Sequence, residues 1–252
     1  MADIFHMATE SALACGRLTD ALAAAQQSRD DTSVKGLAHF AATHLVVPLV
    51  LRGEFDQALV QAQVMRDGWE RSGRPAAGWM APSFFATALA HGLMGNEPAR
   101  AEWWELGDVL SFRSSRNSCG LYAGLRLALH GRPAEGVETP SIRTLEEAPG
   151  QYLPYAVAAL VELAVVGEES DAEQQLGAAS KYAVENDFAA AALQRAAGRL
   201  HHDLGELAVA VAMFEAIGAR FERACTLMLL PDRADEGLAE LAALGCLPSS
   251  GQ

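Results

Sequence analysis

The chain has 252 residues, half of them apolar, and a formal net charge of −13. Its apolar half is mostly 49 Ala and 32 Leu, with 3 Ile and only 7% aromatic residues, a mixture that favours helix over a large sheet. The apolar content excludes a disordered chain, the four scattered cysteines exclude a disulfide scaffold, and the acidity argues against direct nucleic-acid binding.

Helical periodicity and turn signals predict a succession of antiparallel helix pairs. The first pair covers 3–14 and 18–29. The second covers 34–51 and 55–71, and Pro48 inside its apolar first helix predicts a kink. The third covers 79–94 and 98–110, with Pro98 at a helix start, where its missing N–H costs nothing. Next come 119–130 with 140–147, and 152–166 with 170–185; Ser170 and Glu173 predict a capping box at the head of that last helix. The sixth pair is 188–204 with 206–217. A short acidic pair, 219–229 with 232–244, reads as a capping unit. Segments 71–78, 111–118 and 131–139 are rich in Gly, Ser, Arg or Pro and read as loops.

A pattern underlies these pairs. Gly16, Gly53, Gly95, Gly131, Gly167 and Gly205 recur 37, 42, 36, 36 and 38 residues apart. In the clearer copies a small residue follows five places on, as in Ala21, Ala58, Ala172 and Ala210. Each Gly is expected to end a helix in the left-handed conformation, and the small residue lets the next helix approach. A near-constant period in this range is the mark of stacked helical hairpins. The fold class is therefore all-α. One domain, 1–252, is expected to form a right-handed solenoid of about six to seven antiparallel helix pairs. The repeats run roughly 3–29, 34–71, 79–110, 119–147, 152–185 and 188–217, with the capping pair at 219–244.

Gly53, Phe55 and Ala58 satisfy the turn Gly, following aromatic and later Ala of the tetratricopeptide repeat, and the chain resembles that family. Gly16, Leu18 and Ala21 come close, as do Gly205, Leu207 and Ala210. The long period, with the stretch Gly218–Ala224, is similar to the degenerate repeat regions of bacterial LuxR/AfsR-type signal-transduction ATPase regulators. The chain has no GxxxxGK[ST] loop and no evident helix-turn-helix reader. That resemblance implies a sensor or interaction array lacking motor and reader, and a place in signalling or transcriptional regulation.

Charge is divided unevenly. Residues 1–126 carry 11 basic and 13 acidic residues, a net of −2, and residues 127–252 carry 8 and 19, a net of −11. All four tryptophans, Trp69, Trp79, Trp103 and Trp104, lie in the less acidic half, close to a stretch from Val109 to Ala134 with no acidic residue. Arg113, Arg116 and Arg126, with Asn117 and Tyr122, fall in that stretch. Aromatics beside arginines suit a peptide, a carboxylate or a flat apolar ligand. Trp103 and Trp104 point about 100° apart on a helix, so one is expected at a groove or a helix junction. His91 and His130 each precede a turn Gly, where a cation suits a helix C-terminus.

No catalytic motif stands out, no His–Cys spacing fits a metal site, and no cofactor or metal is expected. No signal peptide or membrane-spanning run is visible, so the cytoplasm is the expected location. The leading expectation is a non-enzymatic scaffold that binds a protein or peptide on its concave face. The alternatives are a small-molecule sensor with the Trp-rich region as its pocket, and an enzyme with an unadvertised site. No direct nucleic-acid or membrane partner is expected, and an apolar end of such an array can form a homo-oligomer.

Overall fold

The computed structural model describes residues 2–33, 38–111, 118–132, 140–147 and 150–246. These residues form fourteen α-helices and one short 3-10 turn, with no strand among them. The helices are α1 (Ala2–Ala14), α2 (Leu18–Ser33), α3 (Ala38–Arg52), α4 (Phe55–Arg71), α5 (Ala81–Leu93), α6 (Glu97–Ser111) and α7 (Ser118–Leu129). They continue as α8 (Ile142–Glu146), α9 (Leu153–Val166), α10 (Ala172–Ala183), α11 (Asp187–Leu200), α12 (Leu204–Ile217), α13 (Arg220–Leu227) and α14 (Ala234–Ala243). The 3-10 turn, Gly78–Met80, leads into α5. None of the described helices is long and apolar enough to cross a membrane.

Each odd-numbered helix from α1 to α5 and from α9 to α13 packs on the even-numbered one that follows it. The odd helices also pack on one another, α3 on α5, α5 on α7, α7 on α9 and α9 on α11. Burial separates the two sets. Helix α5 buries 11 of its 13 residues, whereas α6 buries 3 of 15. Helix α9 buries Tyr155–Glu162 without a break, whereas α10 buries only Ala172 and Ala179. The odd helices are an inner layer and the even ones an outer layer with one apolar stripe each. Alanine makes this possible, because small side chains let neighbouring inner helices approach closely.

The inner layer returns to its own beginning. Tyr155 Oη on α9 donates to the Leu13 carbonyl at the end of α1 over 2.6 Å. The Phe55 and Phe221 rings, from α4 and α13, meet edge-on at 5.7 Å. Leu13, Phe84, Tyr155, Phe188 and Phe214 are almost fully buried and belong to or adjoin one continuous core. The space on the inner side of the helix pairs is thus filled by the chain itself.

The turn chemistry departs from expectation at two places. Gly16, Gly53, Gly95 and Gly131 do adopt positive φ. Gly167 and Gly205 do not; Glu168 and His202 take the left-handed position instead. At the second, Gly205 lies inside α12, and its N–H donates to Asp203 Oδ1 over 2.7 Å. Asp203 is a strong helix N-cap, and it draws the helix start two residues ahead of the expected one. The capping box expected from Ser170 and Glu173 is absent, because α10 starts after Asp171 with no side-chain cap. Helix α3 continues through Pro48 to Arg52.

Candidate functional site

Four of the nine residues singled out by the sequence are core residues. Trp69 and Trp103 are 4% exposed, and Tyr122 and Arg126 are 3% exposed. Trp69 meets Phe84 edge-on at 5.5 Å, and its indole N–H donates to the Pro75 carbonyl at 2.9 Å, fixing the loop that leads to the 3-10 turn. The adjacent pair on α6 meets an adjacent pair on α5: Trp103 lies 5.4 Å from Phe84 and Trp104 lies 5.1 Å from Phe85. Trp103 is buried and Trp104 is half-buried at the junction of α5 and α6, so two neighbouring rings on one helix are matched by two on the next. Tyr122 packs at 5.6 Å from Tyr155 and 6.2 Å from Phe188. Arg113, Arg116 and Asn117 lie outside the described residues. Trp79 alone of the four tryptophans is exposed, at 44%.

Arg126 belongs to a buried network the sequence did not reveal. It joins α7, α9, α11 and α13 through Arg126, Glu162, Arg195 and Glu222, each 5% exposed or less. Arg126 donates to Glu162 at 2.9 Å and to Glu222 at 2.6 Å. Arg195 donates to both oxygens of Glu162, to Glu222 Oε2 at 2.7 Å, and to the Glu222 carbonyl and Thr226 Oγ1 at 3.1 Å each. Its guanidinium also lies 4.8 Å from the Phe214 ring centre. Two positive and two negative charges cancel. Burial opposes the charge on both guanidinium groups, yet Glu162 and Glu222 raise both pKa values above the ordinary arginine value. This network is closed and satisfied, so its role is to hold the inner layer.

His130 borders the network, with Nε2 3.3 Å from an Arg126 nitrogen. Burial, reinforced by Arg126, Arg195, Arg132 and Arg199, drives its pKa well below 6.5. It is therefore a neutral acceptor and not the helix-terminal cation the sequence suggested. A depressed histidine pKa stabilises the fold above the unfolded value and withdraws that support as pH falls through it. Urea midpoints are expected to drop between about pH 7 and pH 5, and less steeply in His130→Gln. An equal slope in the two proteins would refute the assignment.

The site that faces solvent is elsewhere. A cavity of about 290 Å³ lies where α1, α3, the head of α5 and residues 150–152 converge. Its walls include His6, Glu10, Thr43, His44, Trp79 and Tyr152. The 3-10 turn carries Trp79 over α3, where it stacks on Phe40 at 5.4 Å and 11° and on His44 at 5.7 Å and 27°. His44 in turn lies 4.4 Å from the His6 ring. The four rings form a ladder from exposed Phe40 to the cavity. Glu10 accepts from the Gln151 amide. Burial raises the Glu10 pKa, while Gln151 and His6 oppose that rise. Burial, with His6 nearby, pushes His44 down to about 4. A wider hollow of about 720 Å³ lies along α9, α11 and α12, lined by Glu168, Arg199 and His202 among others. The smaller cavity is the better candidate, because aromatic rings and perturbed polar groups converge on it.

No family model, curated protein or solved structure matches the chain. The functional reading therefore rests on the geometry of this cavity.

Sequence reading missed His6, Glu10 and His44 because their proximity is tertiary. His6 and Glu10 share a face of α1, but His44 arrives 38 residues later on α3. The one local signal was the four-residue spacing of His6 and Glu10, which is common on helices.

Proposed function

We propose that the protein is a non-enzymatic array of tetratricopeptide-like helix pairs that senses a small ligand in the cavity beneath Trp79. The observation that carries this reading is the aromatic ladder of Phe40, Trp79, His44 and His6 opening onto converging polar groups. The cavity volume of about 290 Å³ suits a small planar metabolite better than a length of peptide. The filled inner side of the helix pairs supports a pocket over a concave peptide groove. So does the burial of Trp69, Trp103, Tyr122 and Arg126. A role in bacterial signalling or transcriptional regulation is the setting that such an array would serve.

Titration with a panel of small ring-bearing metabolites, read by tryptophan emission, tests the proposal. A saturable change is expected for at least one compound, and Trp79→Phe is expected to weaken that binding. Stacking contributes about 0.5–1.5 kcal/mol, so a loss of roughly twofold to twelvefold is the range to expect. The reading fails if no compound gives a saturable change, or if binding is the same in Trp79→Phe.

A further inference from the structure

His6, Glu10 and His44 bring three potential metal donors to the cavity wall, and all three donor atoms lie within 4.8 Å of one another. His6 and Glu10 are one turn apart on α1 and so share a face. His44 faces them from α3. The two imidazole Nδ1 atoms are 3.3 Å apart. Nitrogen ligands bound at about 2.05 Å to a tetrahedral zinc ion are separated by ~3.3 Å. The histidine pair thus already spans one edge of a coordination tetrahedron. Glu10 Oε1 is 4.0 Å from His6 Nδ1, a gap that a small side-chain rotation closes. The other Glu10 oxygen is held by the Gln151 amide, as outer partners hold a ligating carboxylate.

We infer that His6, Glu10 and His44 form a binding site for one divalent first-row transition ion of the zinc type. Two imidazoles and one carboxylate form a known donor set for zinc with one position left open. Here the open position faces the cavity, where a water molecule or a ligand's oxygen or nitrogen completes the shell. An ion also resolves the meeting of the two Nδ1 atoms. Without it one imidazole must be the donor and the other the acceptor; with it both lone pairs point at the same charge. The inference stands on these three side chains and not on the small-ligand reading.

The test uses the full chain, stripped with a chelator and then titrated with Zn²⁺ by calorimetry and with Co²⁺ by visible absorption. One ion per chain is expected, with the intense d–d bands of tetrahedral cobalt. His6 is part-exposed on α1, so His6→Asn retains the fold, which circular dichroism checks. It is expected to weaken Zn²⁺ binding by about 100-fold or more, and Gln151→Ala by about 10-fold. A second readout is the melting temperature, which Zn²⁺ should raise in the wild type but not in His6→Asn. Failure to bind Zn²⁺ with one-to-one stoichiometry overturns the inference, as does equal affinity in His6→Asn. Metal binding without metabolite binding would sink the small-ligand reading alone; the reverse would sink this one alone.

Discussion

Replacing Arg195 by Ala is expected to lower the unfolding free energy by about 3–5 kcal/mol, the usual cost of breaking a buried ion network from one side. The reason is what the substitution leaves behind. Glu162 loses both of its Arg195 contacts, and Glu222 keeps only its Arg126 partner. Two buried carboxylates then share one guanidinium in a medium that solvates charge poorly. Thr226 Oγ1 and the Glu222 carbonyl also lose a donor, and Phe214 loses the cation above its ring. The urea midpoint should fall with the m-value unchanged. The exposed Lys181–Glu146 pair is the control, and Lys181→Ala should leave the midpoint essentially in place. A change at Arg195 no larger than the one at Lys181 would refute the assignment. The network is weak evidence for stability as such, because well-packed apolar residues often do as well. Its distinct contribution is register. The inner helices present Ala- and Leu-rich surfaces that can slide past one another, whereas four paired charges fix which turns of α7, α9, α11 and α13 meet.

That point explains what was legible in the sequence. Helix positions are written in local chemistry, in turn glycines, caps and periodic apolar residues, and the fourteen helices lie close to their expected ranges. Phe55, Ala62, Met65 and Trp69 face inward at helical spacing, and Leu59 on the same face is half-buried. The layer to which each helix belongs is also written there: α9 is apolar from Tyr155 to Val161, and α10 is not. Partnership across the array is not written. Arg126 and Glu222 are 96 residues apart, and Tyr155 and Leu13 are 142 apart. No periodicity links such pairs. Arg126 therefore read as part of a basic surface, when its charge is neutralised inside. The tryptophan cluster misled for a related reason. Nearness in sequence placed four rings on two adjacent pairs of helices, but helix faces sent Trp69 and Trp103 inward, left Trp104 half-buried against Phe85 and left Trp79 to the surface. The histidine pair at the cavity was invisible until α1 and α3 were set side by side.

The closure of the inner layer yields the second large effect. Gly16→Ala is expected to destabilise the protein by about 3 kcal/mol or more, whereas Gly131→Ala should cost about 1 kcal/mol. Both glycines have positive φ, +70° and +67°, so both substitutions carry the same backbone penalty. Only their surroundings differ. Among the described residues a Cβ on Gly131 meets nothing within 4 Å, while one on Gly16 lands 2.7 Å from the Asp187 nitrogen and 2.7 Å from Asn186 Oδ1. That spot is the clasp between the end of α1 and the head of α11. The carbonyls of Leu13 and Ala14 at the end of α1, and of Cys15 just past it, are each satisfied from far along the chain. Leu13 accepts from Tyr155 Oη, Ala14 from Asn186 Nδ2 at 2.9 Å, and Cys15 from the Asp187 N–H at 2.9 Å. Asn186 also caps α11, accepting from the Ala189 N–H at 2.8 Å, so one buried side chain terminates one helix and starts another. A methyl group at Gly16 forces these strands of contact apart and strips two hydrogen bonds along with the strain. Equilibrium unfolding of the two alanine variants measures the difference directly. If Gly16→Ala costs no more than Gly131→Ala, the clasp does not hold α1 to α11. If it costs more, amide exchange should also rise first in α1 and at the head of α11, because those backbone groups share the same closure.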